Sequence, residues 1–376
     1  MIYLDCPATT PCDPRVLDAM LPFFSAAAAN PHNRHHAPGR AAAAAIEQAR
    51  RQVASLIAAR PAEIIFTSGA TEANNLALKG IARAWAGRGR HIVTVATEHA
   101  SVLEPLAALA REGWTVTILP VDGGGRVDPD HVAQALRSDT ILVSVMAVNN
   151  ETGVIQPLAE IGALCRARGI LFHSDAAQAA GRLPIDVGAS KIDLLSLSAH
   201  KLYGPPGVGA LYVRQCASND PVPLLDGGGQ ERGLRPGTLP TPLCVGFGQA
   251  CALVVTEAEQ AGIARLGERL WQGLRRRVPG LRRNGNPAYC VAGTLSLTFP
   301  GLDATDLMAD LPDLALSTGA ACQAESGAPS SVLSALGLDA PAAQATLRFG
   351  LGRFTTEMEI DRAVAMIGRA LAKPEP

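Results

Sequence analysis

Lysine is nearly missing from this chain. Of 33 basic residues only Lys79, Lys191, Lys201 and Lys373 are lysines, so amine-based chemistry has four places to sit. Lys79 follows a helical pattern and reads as a solvated helix-face residue. Lys191 sits in a loop before a strand, and Lys373 lies in a Pro-terminated tail. Aromatic residues are also few, at 4% against 48% hydrophobic residues, which makes the core aliphatic and alanine-rich. No apolar run reaches the ~18 residues of a membrane span. Met1 to Asp5 lacks the basic segment and hydrophobic stretch of a signal peptide, so a cytoplasmic location is expected. There is no basic stripe and no acidic block, and the formal net charge is -1. Neither nucleic acid nor a membrane surface is therefore an expected partner. The eight cysteines form no C-x-x-C pair and no repeating spacing, which argues against a disulfide framework and a zinc site; no metal is expected.

What is present is a regular alternation. Apolar, strand-like runs fall at 64–67, 91–96, 115–121, 140–148, 170–173, 192–197 and 208–213, with helical patterns between most of them. Near-continuous apolar strands separated by helices imply an α/β fold with a largely parallel sheet covered on both faces. Such sheets bind ligands beyond the carboxyl ends of their strands. Ser68–Thr71, His99, Asn149–Asn150, Asp175 and Ser198–Lys201 all fall just after expected strands, on that one edge. Residues 216–240 are Gly/Pro-rich and too long for a simple connector, which suggests a functional or interface loop. A helical region over about 241–278 leads into strands near 294–299 and 346–351 and helices near 303–310, 330–336 and 355–372, a smaller α+β unit. The expected division is a large domain over 16–245 and a small domain made of 1–15 and 246–376, which carries the loop at about 317–329.

Lys201 is the lysine with a site-like context. An apolar run ends in Ser198, His200 and Lys201, a glycine-rich turn follows, and a second apolar run leads away. A lysine at the mouth of a sheet, beside hydroxyl and imidazole donors, suits covalent amine chemistry next to a bound anion. Ser68-Gly-Ala70-Thr71 at a strand-to-helix turn is either a plain helix cap or a phosphate cup. There is no Walker lysine motif, and Gly204, Gly207 and Gly209 do not match dinucleotide spacing, so the phosphate is not that of ATP or NAD. Asp175 after a buried strand needs a cationic partner, either in a structural salt bridge or in a protonated pyridine nitrogen. Phosphate cup, carboxylate, lysine and a ring-stacking His99 together describe a site for pyridoxal phosphate. His32, His35 and His36 lie in a loop with no cysteine or carboxylate at ligand spacing, and read as polar residues reaching toward a pocket. Cys322 sits in a small, polar segment, as a liability or as a nucleophile. Arg348, on an expected strand, suits either bidentate binding of a carboxylate or an interdomain ion pair.

The motifs taken together resemble a known family. Phe66-Thr-Ser-Gly-Ala-Thr-Glu-Ala-Asn-Asn75, Glu98-His99, Val148-Asn-Asn-Glu-Thr-Gly153, His173-Ser-Asp-Ala-Ala-Gln178, Ser196 through Pro206, Gly227-Gly-Gly-Gln-Glu-Arg232, Arg235-Pro-Gly-Thr238 and the Cys322 segment are similar to those of cysteine desulfurases of the NifS/IscS family. The resemblance covers nearly the whole chain. It implies the aspartate-aminotransferase-like fold of pyridoxal phosphate enzymes (fold type I, class V). It also implies conversion of L-cysteine to L-alanine, with the sulfur passing to an enzyme cysteine persulfide and then to an acceptor protein. By the same resemblance Lys201 would anchor the cofactor, Asp175 would hold the ring nitrogen and Gln178 the ring hydroxyl. His99 would stack on the ring and move protons. Ala70, Thr71, Ser198 and His200 would hold the phosphate, with Thr238 arriving from the other subunit of a homodimer. Asn150, Arg348 and His36 would contact the substrate, and Cys322 would take the sulfur. The stretch from Cys322 to Pro329 resembles the mobile-loop group of the family, although Gln323-Ala-Glu325 replaces the usual hydroxyl-rich run and puts an acid beside the thiol. The acceptor stays open between iron–sulfur assembly, another sulfur pathway and DNA phosphorothioation. A selenocysteine lyase or a related class V aminotransferase is the alternative activity.

Overall fold

The computed structural model describes residues 1–215, 220–254, 256–318 and 330–372. Its centre is a seven-stranded sheet in the order Ile64–Thr67, Gly209–Val213, Leu194–Ser198, Leu171–Asp175, Thr140–Ser144, His91–Val95, Thr115–Leu119. Six strands share one direction and Gly209–Val213 alone runs against them. The chain length explains that reversal. A parallel return needs a crossover of about a dozen residues or more, usually through a helix. Only a single 3-10 turn, Ala199–Lys201, and a glycine-rich turn separate Ser198 from Gly209, so the chain folds back as an antiparallel neighbour.

Both faces of the sheet are apolar, and the pleat sorts them. Val93, Val143, Phe172, Leu195, Leu197, Ala210 and Tyr212 pack into one core. Their chain neighbours Ile92, Leu142, Leu171, Leu194, Leu211 and Val213 pack into another on the opposite face. Alternate residues of a strand point to opposite faces, which is why such strands read as continuous apolar runs. The open edge at Ile64–Thr67 is closed by side chains. Arg50 Nη1 donates to Ile64 O at 2.8 Å, and Phe66 N donates to Glu231 Oε2 at 2.6 Å. Arg50 and Glu231 also pair bidentately at 2.7 Å, so the two side chains stand where an eighth strand would otherwise hydrogen-bond.

A second, antiparallel sheet has the order Ser317–Thr318, Thr346–Gly350, Thr294–Thr298, Arg282–Asn284. Its core of Leu297, Phe299, Leu347 and Phe349 is covered by Leu270 and Leu274 of helix Glu257–Arg275 and by Ile360 and Ile367 of helix Glu357–Leu371. Ile2–Tyr3 pairs in parallel with Leu314–Ala315 beside it. The architecture is thus the α/β arrangement expected, a large and mostly parallel sheet plus a smaller α+β unit. One expected element differs. The helix expected over 241–278 is two helices, Thr241–Ala252 and Glu257–Arg275. Thr256 caps the second: its hydroxyl accepts from Glu259 N while Glu259 accepts from Thr256 N. A threonine followed three residues later by glutamate is a helix start, even inside an apolar pattern.

Candidate active site

The carboxyl ends of the parallel strands open into a cavity of about 450 Å³. Its lining brings together Ala70, Thr71, His99, Asn150, Asp175, Gln178, Ser198, His200, Lys201 and, from the second sheet, Arg348.

One corner is built by Ile64–Thr67 and the helix that follows it, Ala70–Trp85. Gly69, the residue before that helix, has φ 156° and no side chain to cap the first turn, so the amide hydrogens of Ala70 and Thr71 face outward at the positive end of a helix of 16 residues. The turn lies close against its neighbour. A side chain at Gly209 would come within 2.6 Å of Gly69 Cα and 2.4 Å of Leu197 O, so glycine is required there for the returning strand to pass. Across from this corner, His200 Nδ1 meets Thr9 Oγ1 at 3.1 Å. Burial first, and the charge of Lys201 second, lower the His200 imidazole to about 4, so the ring is neutral at pH 7.

Lys201 is held by the N-terminal segment. Its Nζ donates to Pro7 O at 2.5 Å and Ala8 O at 2.8 Å. Gln178 Nε2 donates to the same Pro7 O at 2.8 Å, leaving Gln178 Oε1 buried with no partner among the described residues. Thr10 locks the segment in place: its N and Oγ1 both donate to His200 O, and its Oγ1 accepts from Tyr203 N. Residues 7–10 therefore form a strap across the turn that carries the lysine.

Asp175 ends its strand in a buried position. Its Oδ1 accepts from Ala177 N at 2.9 Å and its Oδ2 from Asn74 Nδ2 at 2.7 Å. No side-chain cation pairs with it among the described ion pairs, so the structural salt bridge foreseen as one option is not what holds it. Beside it lies Glu98, whose Oε1 accepts from Met146 N at 2.7 Å and whose Oε2 is buried with no partner among the described residues. Burial, and then the charge of Asp175, raise the Glu98 carboxyl well above its ordinary value.

The opposite wall comes from farther along the chain. Arg348 Nη2 donates to Asp5 Oδ1 at 2.8 Å and to Ser317 Oγ at 3.1 Å, and Nη1 donates to Asn150 O at 3.0 Å. Its Nε is buried with no partner among the described residues. Glu151 accepts from Ser330 Oγ at 2.6 Å. Burial pushes the Glu151 carboxyl up to about 7, with Ser330, Arg348 and His99 opposing the rise.

Two expected residues stand elsewhere. His36 caps helix Ala37–Leu56, its Nδ1 accepting from Gly39 N at 2.9 Å, and it is not among the cavity-lining residues. Thr238 is exposed and does not line the cavity of its own chain. Cys322 lies outside the described residues. Sequence reasoning assigned nothing to Glu98, Glu151, Asn74, Ser101 or the carbonyls of Pro7 and Ala8. Glu98 and Glu151 carried a usable signal, since each adjoins a residue already placed at the strand ends. A backbone carbonyl carries no such signal.

The sequence model of the aminotransferase class-V family matches residues 2–363. A cysteine desulfurase of Mus musculus is 52% identical over 362 residues, covering 96% of this chain and 79% of the relative. A solved structure described as a NifS-like protein superposes with a TM-score of 0.92 at 35% identity, over 99% of both chains. Another, described as SspA in complex with cysteine, gives 0.85 at 38% identity, over 95% of this chain and 100% of that one.

Proposed function

The chain belongs to the aminotransferase class-V family and is a cysteine desulfurase; we propose that it works with pyridoxal phosphate anchored at Lys201 and with Cys322 as the group that takes the sulfur. The observation that carries this reading is the wall of Asp175, Gln178, Lys201 and the uncapped helix start at Ala70, gathered around one cavity.

The residues fit the cofactor. Asp175 is a buried carboxylate that accepts only neutral N–H groups among the described bonds, which suits a protonated pyridine nitrogen. Gln178 Oε1 is an unmet acceptor for a ring hydroxyl. The first-turn amides at Ala70 and Thr71, with Ser198 and neutral His200 across from them, suit a phosphate. Bound there, pyridoxal phosphate supplies an electron sink that stabilises the carbanion formed when the α-hydrogen of an amino acid leaves.

The chain supplies the rest. Arg348 presents its unpartnered Nε to the carboxylate of L-cysteine, and Asn150, whose carbonyl steadies Arg348, sits beside it. Lys201 must leave Pro7 O and Ala8 O to engage the cofactor, and the strap keeps those two acceptors in place for its return. His99 moves a hydrogen at its ring nitrogen. Cys322 attacks the substrate sulfur as a thiolate: the C–S bond of cysteine breaks, an S–S bond forms, and the carbon that loses sulfur takes a proton. Cysteine and the enzyme thiol thus become alanine and an enzyme persulfide, with no external oxidant.

The protein acts as a homodimer in which Thr238 of the partner subunit completes the phosphate cup. This is supported by its exposure on a segment pinned by the bond from Gly237 N to Gln230 Oε1. The persulfide then passes its outer sulfur to an acceptor protein. The test is mass spectrometry after L-cysteine. Cys322 should gain the mass of one sulfur atom as alanine accumulates, and Cys322→Ala should lose both. Alanine release at the wild-type rate by Cys322→Ala would refute the persulfide role.

A further inference from the structure

A buried asparagine in the middle of a helix needs a reason. Asn74 is 0% exposed, lies in Ala70–Trp85 between the core residues Ala73, Leu76 and Ala77, and belongs to a residue type that favours neither helices nor apolar surroundings. Its amide joins two residues already placed in the site. Asn74 Nδ2 donates to Asp175 Oδ2 at 2.7 Å and to Ser101 Oγ at 2.9 Å. Ser101 Oγ in turn lies 2.8 Å from His99 Nδ1, and Ser101 N donates to that same nitrogen at 3.1 Å.

Donor counting sets the direction of every bond. A carboxylate only accepts, so Asn74 turns its NH2 toward Asp175 and both its hydrogens are used. Ser101 Oγ therefore accepts from Asn74, and its own hydrogen is left to donate to His99. His99 caps helix Ala100–Arg111 by accepting the Ser101 amide at Nδ1, and a hydrogen on Nδ1 would face that amide hydrogen. Nδ1 is thus an acceptor for both groups of Ser101, and the ring hydrogen sits on Nε2.

We propose that Asn74, acting through Ser101, is the positioning residue that holds His99 as the Nε2–H tautomer and at the same time fixes the carboxylate of Asp175. The inference rests on the reading of Asp175 and His99 as the ring partners of pyridoxal phosphate and adds to it. The two are not independent: one amide sets both, and the acid–base work of His99 passes through Nε2. Asn74 is not among the cavity-lining residues, so its effect appears in tautomer and spectrum before it appears in binding.

The test separates the two arms. Nitrogen-15 NMR of the His99 ring reports the tautomer, with or without cofactor, and the pH titration of the bound cofactor's visible absorption reports Asp175. In the wild type the Nε2–H form should dominate. Ser101→Ala should raise the Nδ1–H fraction at least threefold and leave the absorption titration unmoved, and Ser101→Thr should restore the tautomer. Asn74→Leu should shift both readouts and lower kcat about tenfold, with KM within a factor of two. If Asn74→Leu does not fold, Asn74→Ala is read in the same way. A folded Asn74 variant that moves neither readout, or only one, overturns the proposal. A wild-type protein that binds no pyridoxal phosphate would refute the functional reading instead, and the ring NMR would still decide the relay.

Discussion

The two walls of the cavity are built differently. The wall of Thr71, Asp175 and Lys201 grows directly out of strand ends in one sheet whose inner strands are buried along their whole length. The wall of Arg348, Asp5 and Glu151 is assembled from segments up to 343 residues apart, joined by charge-assisted hydrogen bonds. The first is placed by packing and the second by polar pairing. Packing is held by many weak contacts and tolerates single losses. A polar pair in a buried place depends on both partners, and removing one leaves the other stranded. The first, proposed as the cofactor wall, should therefore respond to substitution mainly at its edge, and the second, proposed as the substrate wall, should respond in pH and in KM.

The largest effect is expected where the cofactor wall itself depends on a charge pair. Arg50→Met removes the partner of Glu231 and leaves that carboxylate buried against Phe66 N. Stability should fall by about 3–5 kcal/mol, read from the urea midpoint at constant slope. Adding Glu231→Leu should return part of the loss and leave about 1–3 kcal/mol, because Phe66 N then has no acceptor. Full recovery in the double variant would mean that the strand edge needs no side-chain partner.

The same contrast explains what could be read beforehand. The sheet and the alignment of Ser68–Thr71, His99, Asp175 and Lys201 were legible because each signal is local: an apolar run, then a chemical residue within a few positions. Arg50 with Glu231, and Glu151 with Ser330, were not legible, since 181 and 179 residues separate the partners. The strap could not be read at all, because Pro7 and Ala8 act through carbonyl oxygens that every residue has. Asn74 looked like any polar residue in a helix; only its burial sets it apart. The break before Glu257 was legible in principle, through Thr256 and Glu259, but the apolar pattern across it outweighed the capping signal.

A smaller effect is expected from Glu151, in the pH dependence of the substrate wall. Burial holds its folded-state value at about 7 against an ordinary 4.5. Between those values the folded protein binds more protons than the unfolded chain, so stability is full below about 4.5 and declines as pH rises through about 7. The decline should be on the order of 3 kcal/mol, from a shift of about two and a half units. Glu151→Gln keeps an acceptor for Ser330 and removes this titration, so its stability should decline less than the wild type over that window, by about that amount. Chemical denaturation of both proteins at pH 5 and pH 8 measures the difference. An equal slope in the variant would place the titration on another group.

The smallest effect is expected at Asp5, and it tests what the substrate wall is for. Asp5 pairs with Arg348, and on the role proposed for Arg348 the carboxylate of the substrate would compete with that pair. Its own carboxylate is partly exposed, whereas the Arg348 side chain is only 4% exposed. Asp5→Asn keeps an acceptor near Nη2 and removes the charge, so Arg348 loses its counter-ion in the empty site and is drawn more strongly to the carboxylate of cysteine. At an intermediate dielectric the change should be about 1 kcal/mol. KM for L-cysteine should then fall about fivefold with kcat unchanged, while the substrate-free protein loses a similar amount of stability. A rise in KM would show instead that Asp5 serves to aim the guanidinium, and that orientation outweighs charge in this wall.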